Sequence, residues 1–259
     1  MQITTTKKTT HSDLKIGVFG QSGVGKSSLV KTLPCDPKHV LILNIEDGLE
    51  VLRGEDFAQI SFSDIEAANP IDKMREVVKH LLTPDGLNGF KWIVIDSFSM
   101  WAEKVLHYME KNPQEFDLLS SQGKFDGLKM YGTLKKVFTA VNDAILSIPN
   151  LNKLVLFGAM EKENGPDKRM EMLIPGSFGS TAMFTFDEFY GMNIKTTDEG
   201  VVRQLVTNND GYFIAKSRMS GGAGNVLDVY EPAHLGNIIS KCYSGAKKAS
   251  KVDTKGLPA

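Results

Sequence analysis

The stretch GQSGVGKS at Gly20–Ser27 follows the apolar run LKIGVF (14–19) and precedes SLVKTL. Strand, glycine loop and helix in that order match the pattern G-x-x-x-x-G-K-[ST] at Gly20, Gly25, Lys26 and Ser27. The residue types are what phosphate binding demands. Glycines let successive backbone N–H groups turn inward, and a helix starting there adds its positive end. Gln21, Ser22, Gly23, Val24 and Ser28 complete the cradle. Lys26 sets a cation between a β- and a γ-phosphate, and the Ser27 hydroxyl is placed to bind Mg²⁺. The expected ligands are therefore ATP and Mg²⁺.

The rest of the chain supplies an α/β frame for this loop. Apolar runs suited to strands occur at 14–19, 39–45, 57–62, 90–96, 153–159, 188–194, 201–207 and 212–216. Several are continuous, as strands buried on both faces should be. Asn69 and Pro70 read as the start of a helix whose apolar face is Met74, Val77, Val78 and Leu81. Tyr131, Leu134, Phe138, Val141, Ile145 and Ile148 mark a second, longer helix. Alternating strands and helices predict a mostly parallel sheet with helices on both faces. From Phe186 onward, strands joined by TTDEG and NNDG predict an antiparallel C-terminal extension.

Segments 111–127 and 161–180 read as exposed loops. The boundaries expected are a flexible segment 1–12, one ATPase domain 13–240 and a lysine-rich disordered tail 241–259. Charge is balanced, with 30 Lys plus Arg against 31 Asp plus Glu, which excludes a strong global field for nucleic acid and leaves only local patches. The two cysteines lie far apart and the five histidines are scattered, so no structural metal is assigned. Neither a secretion signal nor a membrane-length run is visible, which points to the cytoplasm.

Two carboxylates extend the phosphate site. FKWIVIDS ends a strand at Asp96, where a carboxylate holds Mg²⁺ through water; the alternative is that Asp96 caps the next helix. In LILNIEDGLEVL, Glu46 and Asp47 end the strand after the P-loop helix, where a carboxylate is placed to orient the attacking water; the alternative is an acidic turn.

With these residues in place, the chain resembles the RecA-like core, and within it the phage single-strand annealing ATPases of the Sak type. The shared order is the glycine loop, LNIEDG, IDS at Asp96–Ser97, Tyr131–Leu134, Pro175–Gly176, Phe186–Asp187 and AKSR, over roughly Leu14 to Ile239. One departure is Met160, with Glu161 next, where relatives carry a polar γ-phosphate sensor. The resemblance implies that Glu46 is the base. It also implies that Lys216 and Arg218 reach a neighbouring subunit's ATP, so a homo-oligomer, ring or filament, is expected with ATP at the interface.

Further implications are binding of single-stranded DNA for annealing or recombination, through the two loops, and a single-strand binding protein as an additional partner. Lys162, Lys168, Arg169 and Phe178 are the candidate DNA contacts, cations for phosphates and a ring for stacking. A phage origin would place the protein in the host cytoplasm. Two other functions fit the loop: a non-catalytic ATP-binding helicase loader or scaffold, and a small-molecule kinase with Asn164–Met172 as its lid.

Overall fold

The computed structural model describes residues 13–249 apart from 88, 165–166, 199 and 221–225. The expected flexible segment 1–12 and the last ten residues lie outside the described residues. Among the described residues ten strands form one sheet: β1 (Lys15–Gly20), β2 (Val40–Asn44), β3 (Ala58–Ser61), β4 (Trp92–Asp96), β5 (Asn152–Asn164), β6 (Asp167–Met172), β7 (Glu188–Thr197), β8 (Gly200–Val206), β9 (Lys216–Ser217) and β10 (Tyr230–Pro232). The path β10-β8-β7-β1-β5-β4-β2-β3 is parallel from β7 to β3 and antiparallel at β8 and β10. The strand ending in Asp96 is thus separated from the P-loop strand by β5. This is the RecA-like P-loop α/β fold class expected from the sequence.

Among the described residues seven α-helices accompany the sheet: α1 (Lys26–Leu29), α2 (Pro70–Leu81), α3 (Pro84–Leu87), α4 (Phe98–Lys111), α5 (Gly127–Leu146), α6 (Gly179–Ala182) and α7 (Leu235–Ala249). Alternate strand residues feed two cores. Leu41, Ile93, Val155 and Phe157 pack with α2, α4 and α5. Val40, Val94, Leu154 and Leu156 pack on the opposite face with α1 and α7. That is why the parallel strands read as continuous apolar runs: both pleat faces are covered. Phe98 on α4 gathers Trp101, Phe138, Phe157 and Phe178 around it, with ring centroids 5.0–6.3 Å apart. Each such ring contributes about 1.5–3 kcal/mol by leaving water.

The helix starts are as the sequence implies. Asn69 Oδ1 accepts from the N–H groups of Ile71 and Asp72 at 3.0 and 2.9 Å. On α5 the face is shifted slightly: Met130 and Leu134 are buried, whereas Tyr131 is 46% exposed.

Three expectations fail. Residues 161–180 are not an exposed loop: β5 continues to Asn164 and pairs antiparallel with β6. Residues 212–216 are not a continuous strand: of these only Lys216 lies in one, at the start of β9. β8 leaves the edge of β7 at Val206 and the chain returns only at β9, while Phe213 fills the space above Gly191, where a Cβ would sit 2.2 Å from its ring. The tail is helical through Ala249, because Ile238, Ile239 and Cys242 have an apolar face to cover. Burial pushes the Cys242 thiol up to about 12.

Candidate nucleotide site

Both neighbours of β1 outlast it. Gly20 is level with Gly158 of β5, and Phe19 with Gly191 of β7, yet these strands run on to Asn164 and Thr197. The P-loop therefore opens between two projecting antiparallel hairpins, β5–β6 and β7–β8. Within it Gly23 and Gly25 have φ of 80° and 101°, left-handed conformations that suit glycine. Gln21, Ser22 and Gly23 are exposed, Val24 is buried, and Gly25 to Ser28 are half-buried. The helix that follows is short. One α-helical turn gives way to a 3-10 turn at Val30–Thr32, and Pro34 follows soon after.

Lys26 folds over the loop, its Nζ donating to Gly20 O and Gln21 O at 2.9 Å each. Burial pulls its pKa down, against the opposing pull of Glu46 and Asp96, whose charges it senses. The ammonium thus rests on carbonyls that phosphate oxygens can replace. The Ser27 side chain lies beside the Asp96 carboxylate and favours its charged form. Asp96 is 4% exposed, and burial holds its pKa above the usual aspartate value, with the Glu46 charge adding to the rise and Ser27 and Lys26 opposing it.

The helix cap falls to Ser97, not to Asp96: Ser97 Oγ accepts from Met100 N at 3.3 Å. The same hydroxyl donates to Glu46 Oε1, which binds the two acidic strand ends together. Glu46 itself is exposed at the mouth of the site.

The neighbouring strand adds one polar atom not singled out from the sequence. Asn44 pairs in register with Asp96 and lies on the same face as Ile42 and Val94. It is 8% exposed; its Nδ2 donates to Gln59 Oε1 at 3.4 Å, and its Oδ1 has no partner. A buried, unpaired carbonyl oxygen beside a buried carboxylate and a serine hydroxyl is an all-oxygen environment that fits a hydrated Mg²⁺. Ser27 and Asp96 would hold that ion. No cluster of three or more His, Cys, Asp or Glu able to hold a metal exists among the described residues, so the remaining ligands would come from nucleotide and water.

The other candidates lie elsewhere. Lys216 is opposite Phe189, and Arg218 N bonds Asp187 O, at the level of the first residues of β1. They occupy the amino edge of the sheet, away from their own P-loop. Lys216 lies over the Phe184 ring at 5.9 Å, and Arg218 contacts Asp187 at 3.3 Å and Phe184 O at 2.8 Å. Beneath them Glu188 is fully buried, accepting from Tyr190 OH and from Met219 N at 2.5 and 2.8 Å, which fixes the segment after β9.

The DNA candidates fare worse. Phe178 is 2% exposed inside the aromatic core, so its ring is closed to a base. Lys162 pairs with Glu171 at 2.8 Å and Lys168 with Glu161 at 2.7 Å across the β5–β6 hairpin, which offsets their charge. Arg169 is half-buried on the same hairpin. Glu161 also accepts from Tyr212 OH at 2.7 Å and is turned to the hairpin, while Met160 is 40% exposed.

Sequence reasoning missed Arg203 of β8, whose Nε donates to Val24 O within the P-loop at 3.1 Å. No signal near it in sequence marks it.

Among solved structures, similar folds include a KaiC-like protein of the hyperthermophilic archaeon Pyrococcus horikoshii OT3, 13% identical over 76% of this chain and 80% of that one, TM-score 0.43. The flagellar accessory protein FlaH of Methanocaldococcus jannaschii is 10% identical over 84% and 85%, TM-score 0.39. An uncharacterized Pyrococcus horikoshii protein, in complex with an unknown peptide, is 12% identical over 86% and 92%, TM-score 0.41. No curated protein matches the sequence. No helix among the described residues is long and apolar enough to cross a membrane. An AAA domain family, AAA_24, matches residues 12–219, and the chain belongs to that family.

Proposed function

We propose that this protein binds ATP with Mg²⁺ in the P-loop and hydrolyses it. The observation that carries this reading is the convergence of Lys26, Ser27, Asp96 and Glu46, linked by mutual charge and by the Ser97 hydrogen bond to Glu46, at one end of β1, β2 and β4. Lys26 exchanges two backbone carbonyls for phosphate oxygens. Mg²⁺, when bound, neutralises charge on the β- and γ-oxygens. Glu46, steadied by Ser97, orients a water and takes its proton. Glu46→Gln keeps the shape and removes the base, so ATP affinity should be retained while turnover falls about 100-fold or more. Phosphate release and nucleotide titration read the two quantities. A near-zero turnover in wild type, unchanged by the substitution, would favour the non-catalytic reading, which the exposed Met160 at the sensor position supports.

We further read Lys216 and Arg218 as the groups a neighbouring copy adds, since they stand far from their own loop. The Sak-type resemblance and a single-stranded DNA partner rest on the ordered sequence motifs. Phe178, Lys162 and Lys168 lend them no support. Single-strand binding measured with and without ATP tests that partner.

A further inference from the structure

The P-loop is braced from outside by the β7–β8 hairpin. A Cβ on Gly20 would sit 2.7 Å from Met192 O, so loop and strand backbone nearly touch. Arg203, opposite Ile194, reaches across a separation of 179 residues to Val24 O. A Cβ on Gly25 would lie 2.6 Å from its Nε and 2.9 Å from its Cδ, so the base of the guanidinium is packed against the loop. Among the described residues no ion pair claims Arg203, although the other hairpin pairs its lysines.

The geometry of the peptide gives this contact a role. In a planar trans peptide the C=O and the N–H point in opposite directions. A donor holding the Val24 carbonyl on the outside therefore turns the Gly25 N–H to the inside, where phosphate oxygens bind. A cation on the carbonyl also polarises the peptide and makes that N–H a better donor. Glycine at position 25 serves twice, once for its φ of 101° and once because any side chain would collide with Arg203.

We propose that Arg203 is a positioning residue of the nucleotide site: it aims the Gly25 amide at the phosphate chain and ties the β7–β8 hairpin to nucleotide binding. This rests on the P-loop reading above.

The test is calorimetric titration of Mg·ADP into the full chain as wild type, Arg203→Ala, Arg203→Lys and Lys26→Ala, with melting of each apo protein. Arg203→Ala should weaken Mg·ADP about tenfold, the equivalent of about 1.4 kcal/mol, with the apo melting temperature unchanged. Arg203→Lys should restore part of the affinity. Hydrogen exchange across 200–206 should slow on Mg·ADP addition in wild type and not in Arg203→Ala. Wild-type affinity in Arg203→Ala, with binding lost in Lys26→Ala, overturns the Arg203 role and leaves the site intact. Parallel loss of affinity and apo stability, unrescued by lysine, makes Arg203 a fold contact and also overturns it. Equal binding by wild type and Lys26→Ala, or none by wild type, sinks the P-loop reading itself.

Discussion

The two hairpins beside the P-loop share an architecture and differ in what they do with charge. On β5–β6, Lys162 and Lys168 each meet a glutamate of the same hairpin, and Tyr212 closes over Glu161. Both of these lysines are thus offset within their own hairpin. On β7–β8, Arg203 spends its donor on a P-loop carbonyl instead. Counting basic residues marks the first hairpin as the functional one. Partner geometry reverses that ranking for these two hairpins: the lysines of the first already face carboxylates, whereas the arginine of the second faces the loop.

The largest test of this contrast is Phe178, packed beneath β5–β6. Phe178→Ala should cost about 3–5 kcal/mol in urea unfolding, as a buried ring leaves a cavity. Undiminished stability coupled to lost single-strand binding would restore the stacking role and break the comparison.

The carboxylate beyond β5 is probed next through Asp96. Its folded pKa is raised above 3.8, chiefly by burial, so the apo fold binds this proton more tightly than the unfolded chain. The associated stability is complete below the unfolded value and is lost as pH rises through the folded one. At neutral pH the buried charge is thus a cost. Asp96→Asn should melt higher than wild type in the apo state at pH 7, with the gap closing as pH falls toward the ordinary carboxylate range. Mg·ATP should then stabilise wild type but not the variant. Thermal melts across pH, with and without Mg·ATP, read both effects.

The smallest expected effect is Lys168→Ala. Its exposed pair with Glu161 should leave melting temperature, nucleotide affinity and single-strand binding unchanged. A clear loss of single-strand binding would show that the hairpin's cations are not spent internally.

What could be read beforehand was local. The glycine loop, the Asn69 cap and the buried runs ending in Asn44 and Asp96 each announce themselves within a few residues. So does the Glu46 position, because it follows a strand end. Residues 161–180 were misleading, since Gly165, Pro166, Pro175 and Gly176 suggest a loop, while the pairing of β5 with β6 depends on alternation across a turn. Phe178 looked available because its neighbours are polar; only the tertiary packing shows it stacked on Phe98 at 5.7 Å. Arg203 was invisible because its contact spans 179 residues. Ser97 follows Asp96 in the sequence, but its shared duty as helix cap and Glu46 partner needs both strand ends in place.

The location of Lys216 and Arg218 has a consequence for symmetry. Arg218 is level with Lys15 and the loop begins at Gly20, so about 16 Å of strand separates that edge from the phosphate cradle. If these two cations serve an adjacent copy's ATP, the touching surfaces are unlike: one molecule's floor meets another's roof. Such a contact is not self-complementary, and a twofold dimer cannot satisfy it. Each added copy leaves a fresh cradle and a fresh cation pair unmatched, so growth ends only by cyclic closure or continues as a helix.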